Sequence, residues 1–558
     1  MMAFALRRLT FWLLGFLLAV GAFIRFRALD FGLPHTQARP DETAIIDPVR
    51  TLLTGHLPHF YDYPWLFLWI LALAYLGYFV WGAIAGWFHT VADMLATWPT
   101  HYEPFFLIPR AISAAAGTIT ILLVYRLGRQ IRDDATGLVA ALFLTFSFMH
   151  VRGSHFGTTD VVMTLLIVGA VTLLLDAHRT RNQLTFAAAG VVAGLAAATK
   201  YNGVVLVVPM LASHLLTVWD APAGGKRAAW LDPRIAIFGG GFLVAFAIGV
   251  PFVVVDQARF LDAMRELAHA LRTGDKNLET ANGWWHHLIF SLRYGMGLPM
   301  LTAGLVGAVV MFWRDTRKAV LLLSFPIAYY VLAGSLKLLF FRYVMPVVPF
   351  LCVTGAYLVC WGVSEAVARL QIRREPSAFV PAIASALVAL AIVWTGAART
   401  LAFDRIMAKT DSRVLLAEWF EKNVPPGSTV VQSGSVYGRA RFPGALDYRE
   451  WRWDGGRRVF LLGNKRLSAQ DAPEWIVMQD SPLPSGNQDI LIELVKDRYE
   501  LVSAFQAFSA SGDLVYDQQD MFFVPFSGFA HVVRPGPNFS VFKRKDAATD
   551  GDARSHTH

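Results

Sequence analysis

The sequence predicts a polytopic α-helical membrane protein followed by a small C-terminal α/β domain outside the membrane. Three observations carry that expectation. Hydrophobic side chains make up 55% of the 558 residues and charged ones only 16%, with mean hydropathy +0.44, which departs from the balance of a soluble chain. Apolar runs of membrane-spanning length recur between residues 9 and 397, and beyond residue 400 the charge rises and strand-like segments begin. The net charge of +9 does not point to nucleic acid, because Lys and Arg lie in short clusters between apolar runs, as membrane topology requires.

The first apolar run, near 9 to 28, follows Arg7 and Arg8. A signal peptide is the rival reading, but the run is long and "RFRALD" is no small-residue cleavage site, so it reads as a signal anchor. Further runs lie near 65 to 88, 105 to 125, 135 to 151, 158 to 177, 184 to 199, 202 to 219, 235 to 255, 288 to 313, 319 to 336, 343 to 366 and 378 to 397. Five basic connections, at 126–132, 178–181, 226–234, 314–318 and 369–374, belong on the cytoplasmic side with Arg7 and Arg8. Between Asp41 and Arg126 that rule demands an odd number of crossings, yet two runs lie there. Either the run at 65 to 88 is not a full span or the region crosses twice, giving 11 or 13 spans.

The sequence thus divides into a membrane domain, 1–399, a domain at 400–545, and a disordered tail, 546–558. "SRVLLAEWFEKNVPPGSTVV" reads as an amphipathic helix, a Pro-Pro-Gly turn and a strand, and "EWIVMQD" and "NFSVFKRK" as further strands. No Gly-rich nucleotide loop occurs. The two cysteines, Cys352 and Cys360, share one apolar stretch, which excludes a disulfide framework or a cysteine metal site.

On this topology the external loops collect the ionisable residues: Asp41, Glu42 and Asp62; Asp160; Lys200 beside Tyr201; His269; Lys337 and Arg342. Ionisable groups at the apolar boundary are costly and line cavities or sites. Asp41 and Glu42 follow Pro40, which suits a first helical turn where acids favour the helix dipole, so a solvated helix N-terminus is the plain alternative. For Lys200, Lys337 and Arg342 the plain alternative is interfacial snorkelling. Together, a carboxylate within reach of a hydroxyl and cations that hold phosphate suggest group transfer from a lipid phosphate.

The order of motifs resembles the GT-C membrane glycosyltransferases, in the branch of protein O-mannosyltransferases and the lipid A aminoarabinose transferase. The resemblance rests on "PDE" at Pro40 to Glu42, "YDYPWL", "PRAISAAAG", Asp160 in "HFGTTDVVMTLL", "ATKYNGVVLVVP" and "RYVMPVVPF", and spans about the first 370 residues. It implies a GT-C fold at the bacterial inner membrane, with the active site and C-terminal domain extracytoplasmic. It implies a polyprenyl-phosphate sugar donor, hexosyl or pentosyl, a lipid, glycan or protein acceptor, and no nucleotide cofactor. Asp41 would be the general base and Glu42 would orient it or help bind a cation; Asp160, Lys200, Tyr201, Lys337 and Arg342 would bind substrate. In the aminoarabinose branch a carboxylate before the second helix and a loop histidine hold a metal ion, which corresponds here to Asp62 and His269. This chain has Asp-Tyr-Pro where that branch has Glu-Lys-Pro, so a phosphate-binding lysine is missing there. The alternative function is a lipid-linked sugar flippase or transporter, for which inverted repeats and charges near the bilayer midplane are the usual signs.

Overall fold

The computed structural model describes residues 2–545 apart from 274–281, 371–378, 445–446, 455–458, 463–464, 468–471, 482, 484–488 and 510–512. The tail at 546–558, and part of the basic connection at 369–374, therefore lie outside the described residues. The chain forms two compact units: Met1–Leu29 with Asp41–Asp404, and Asp30–Pro40 with Arg405–His558.

The first unit is helical. It opens with α1 (Met2–Phe26), α2 (Pro40–Leu53), α3 (Leu66–Ile84), α4 (Val91–Ala96) and α5 (Glu103–Ile131). A helix broken by 61° follows, α6 (Asp134–Thr145) and α7 (Phe148–Ser154), then the antiparallel pair α8 (Thr159–Thr180) and α9 (Gln183–Thr199). Asp133 and Asn182 cap α6 and α9, their side chains accepting first-turn N–H groups. The break between α6 and α7 exposes carbonyls that Arg25, buried at the end of α1, takes up: its guanidinium donates to Leu144 O at 3.1 Å and Thr145 O at 3.4 Å. The helices Val207–Asp220, Arg234–Gly249, Leu298–Arg314, Thr316–Gly334, Val348–Arg369 and Phe379–Met407 complete the bundle. Small residues allow close approach: a Cβ on Gly190 or Gly194 of α9 would lie 2.2 and 2.3 Å from the carbonyl oxygens of Phe238 and Phe242.

Among the described residues nine helices are long and apolar enough to span a membrane, or up to 11 when each bent pair counts as one. This count includes α3, whose contacts resolve the parity conflict in the sequence. Leu66 lies beside Gly249 and Ala198, at the end of the bundle where α9 finishes. Nine residues on, Tyr75 donates to Phe105 O at 2.6 Å, in the first turn of α5. Pro109 of α5 packs on Gly157 just before α8, so both anchors of α3 belong to the same end. A helix descending through the bundle would be about 13 Å deeper after nine residues, so this part of α3 runs across the end instead. Replacing α3 in the count by the 17-residue α9 leaves up to 11 such segments among the described residues when each bent pair counts as one, the lower of the two expected numbers.

The second unit contains a seven-stranded sheet in the order β4-β3-β2-β1-β5-β7-β6, with β1 Thr429–Gln432, β2 Arg449–Asp454, β3 Val459–Leu462, β4 Lys465–Leu467, β5 Trp475–Asp480, β6 Tyr499–Phe505 and β7 Asn538–Arg544. Strand alternation sends Val430 and Val477 to a core with Leu416 and Phe420 of helix Ser412–Asn423, and Val431 and Ile476 to another with Leu491 and Leu494 of helix Asp489–Arg498. The central β1 pairs in parallel with both β2 and β5. The helix and the strands β1, β5 and β7 follow the sequence expectation. Asp30–Pro40 also joins this unit: buried Arg39 is ion-paired with Asp520, and the Phe31 ring packs edge-on against Phe522.

Candidate active site

Two acids in the first turn of α2 point to different surroundings. Glu42 is fully buried and accepts a bidentate pair from Arg110 of α5, Nε at 2.9 Å and Nη2 at 2.7 Å. The N–H of Gly157 donates to Glu42 Oε1 at 2.8 Å, and Arg110 Nη1 donates to Leu29 O at 2.6 Å. Gly157 is required for this approach, since a Cβ there would meet Pro109 Cβ at 2.8 Å. Glu42 therefore ties α2 to α5 and to the turn before α8.

Asp41, by contrast, keeps a third of its side chain exposed and meets Arg342 Nη2 at 2.9 Å. Arg342 lies in a 3₁₀ turn, Phe341–Val347, just before the helix Val348–Arg369. Its Nε is 3.6 Å from Asp160 Oδ2, and Asp160 in turn accepts from Lys200 Nζ at 2.6 Å. Asp160 stands in the first turn of α8, where the helix dipole favours an anion, and Lys200 ends α9, where it favours a cation. The side chains of Asp160, Lys200 and Arg342 are only 4%, 11% and 8% exposed, so a carboxylate open to solvent sits at the edge of a buried cationic recess. Four segments distant in sequence thus bring together Asp41, Asp160, Lys200 and Arg342, as expected.

Aromatic rings line the recess. Lys200 Nζ is 5.0 Å from the Tyr343 ring centre and 6.0 Å from that of Tyr63, and the Arg342 guanidinium lies 4.3 Å over Phe340. Burial, with Asp41 nearby, holds the Tyr63 phenol well above its ordinary pKa, so it remains a hydrogen-bond donor. Tyr63, in "YDYPWL", and Arg110, in "PRAISAAAG", lie in motifs the sequence marks, though neither carries an assigned role there. Arg110 did carry a signal, as an arginine opening an apolar run.

Other expected residues stand apart from this ion cluster. Tyr201 is half-buried and its hydroxyl donates to Tyr61 O at 3.0 Å. Lys337 is exposed, and its backbone N–H donates to Leu271 O at 2.9 Å. Asp62 and His269 are both exposed, and among the described residues no group of three or more His, Cys, Asp or Glu is placed to hold a metal.

Residues 108–254 match the family model described as dolichyl-phosphate-mannose-protein mannosyltransferase. The segment begins two residues before Arg110 and includes Asp160 and Lys200. No curated protein sequence matches. Among solved structures, the chain is similar to the apo oligosaccharyltransferase of Archaeoglobus fulgidus, with 12% identity and TM-score 0.49 over 96% of this chain and 89% of that one. ArnT from Cupriavidus metallidurans bound to undecaprenyl phosphate gives 14% identity and TM-score 0.47, covering 96% and 98%. The Archaeoglobus enzyme tethered to an acceptor peptide gives 14% identity and TM-score 0.48, with 76% of this chain spanning 62% of that one.

Proposed function

We propose that this protein transfers a sugar, hexosyl or pentosyl, from a polyprenyl-phosphate donor to an acceptor hydroxyl on a lipid, glycan or protein. The observation that carries the proposal is the solvent-open carboxylate of Asp41 beside the recess of Arg342, Lys200 and Asp160. The matched mannosyltransferase family supports a lipid-phosphate donor. The positive-inside rule supports an extracytoplasmic site at a bacterial inner membrane, because the basic connections lie at the other end of the spans. The C-terminal unit belongs on that same outer side by the same topology.

The donor's phosphate enters beside Arg342 and Lys200, which exchange part of their contact with Asp41 and Asp160 for phosphate oxygens. Asp41 accepts the proton of the acceptor hydroxyl. The hydroxyl oxygen forms a bond to the anomeric carbon as the bond from that carbon to the phosphate oxygen breaks in line, and the electron pair leaves with the phosphate. Inversion at the anomeric carbon follows. Arg342 and Lys200 stabilise the charge that grows on the leaving group, and Tyr63 supplies a neutral donor beside it. Glu42 acts through Arg110 by fixing the helix that carries Asp41. The donor is a lipid-phosphate sugar and not a nucleotide sugar.

The test is transfer from radiolabelled polyprenyl-phosphate sugars by lipid-reconstituted protein, with a membrane extract as acceptor source. Label moving to an acceptor with wild type and not with Asp41→Asn is the expected result. Donor crossing the bilayer at equal rates in both forms, without transfer, would replace the transferase by a flippase.

A further inference from the structure

At the opposite end of the bundle, two hollows of similar size differ in charge. Arg126 of α5 is sixteen residues beyond Arg110, about 24 Å along the helix, which puts it at the far membrane surface from Asp41. There a hollow of about 630 Å³ opens between α5, α8 and the helix Thr316–Gly334. Its polar rim holds Arg126, Arg129, Arg179 and Lys318 against one carboxylate, Asp176. Arg179 takes Asp176 at 2.7 Å, Arg129 takes Asp134 outside the hollow at 3.1 Å, and Lys318 Nζ donates to Ile131 O at 2.7 Å. Arg126 has no carboxylate partner among the described residues. Deeper in, Leu173 and Leu321 line the wall.

The neighbouring hollow, about 640 Å³, is the control that the fold itself provides. It is lined by Arg181 and Arg234 but also by Asp220 and Asp232, and these acids are matched within the protein: Arg234 donates to Asp232 at 2.7 Å and Arg317 to Asp220 at 2.7 Å. A basic membrane surface explains cations at either hollow. It does not explain why one is lined by two acids against two arginines and the other by a single acid against four cations, above an apolar wall.

We infer that the hollow between α5, α8 and Thr316–Gly334 binds the headgroup phosphate of an anionic phospholipid. Arg126 and Lys318 face the phosphate from two different helices, and an acyl chain descends along Leu173 and Leu321. The apolar wall favours a lipid over a soluble anion, which would gain nothing from it. This site is independent of the transfer chemistry, which uses the other end of the same helices.

The experiment uses full-length protein in nanodiscs of dioleoylphosphatidylcholine doped with spin-labelled phosphatidylglycerol, read by the motionally restricted fraction of the label. Wild type restricts the label, and Arg126→Gln with Lys318→Gln weakens that retention by about tenfold. Arg181→Gln, in the neighbouring hollow, retains it. Equal restriction in the wild type and the first variant, or no preference for phosphatidylglycerol over a spin-labelled phosphatidylcholine, overturns the site. Displacement of the label by millimolar inorganic phosphate at constant ionic strength would reassign it to a soluble anion.

Discussion

Asp41 and Glu42 are neighbours in one helical turn, yet their surroundings give them opposite work. Glu42 is sealed, with both oxygens taken by Arg110 and a third bond from Gly157. Asp41 keeps a third of its side chain exposed and meets Arg342, a cation that an incoming phosphate can compete for. A buried carboxylate with a full set of bonds is stiff, and removing it leaves its partner uncompensated. A half-open one can exchange partners and take a proton. On the proposed function, the transfer chemistry falls to the more exposed acid, and the buried one holds the turn that carries it.

That contrast can be broken by experiment. Asp41→Asn should lower kcat by about 10²–10⁴-fold while thermal unfolding followed in detergent stays near that of wild type; a large loss of stability would erase the distinction. Glu42→Gln should do the reverse in kind, destabilising the protein by about 3–5 kcal/mol as a buried pair with Arg110 is broken. Denaturant unfolding checks this, and a Glu42→Gln protein as stable as wild type would show that the pair is not structural. Next in size, Arg342→Ala should weaken donor binding by about ten- to a hundredfold, in line with the loss of a charge-assisted contact of roughly 1.5–3 kcal/mol, measured as KM for the donor. Lys337→Ala should change KM least, since that side chain is exposed; an effect as large as that of Arg342 would bring it into the recess.

How much of this was legible beforehand follows from what each feature depends on. The spans and the strands β1, β5 and β7 are written in local hydropathy and alternation. The convergence of Asp41, Asp160, Lys200 and Arg342 was anticipated because all four stand at ends of apolar runs on one side of the topology. The separate duties of Asp41 and Glu42 were not, since both look alike until Arg110, 68 residues away from Glu42, is brought against one of them. The orientation of α3 was hidden for a related reason: its sequence is apolar enough to cross, and only the contacts of Leu66 and Tyr75 reveal that it starts and continues at one end. Asp30–Pro40 gave no sign of joining the C-terminal unit because its partners lie hundreds of residues downstream.

The arginine at the end of the first helix bears on biogenesis. Arg25 donates to Gly21 O within its own helix and finds two further acceptors, the carbonyls of Leu144 and Thr145, 119 and 120 residues later in the chain. Synthesis proceeds from the N-terminus, so α1 enters the bilayer before the helix that satisfies its guanidinium exists. A lone charge at that depth is held at the water interface. The first helix therefore reaches its final seat only after the sixth has been made and broken, and the break in that helix is what receives it.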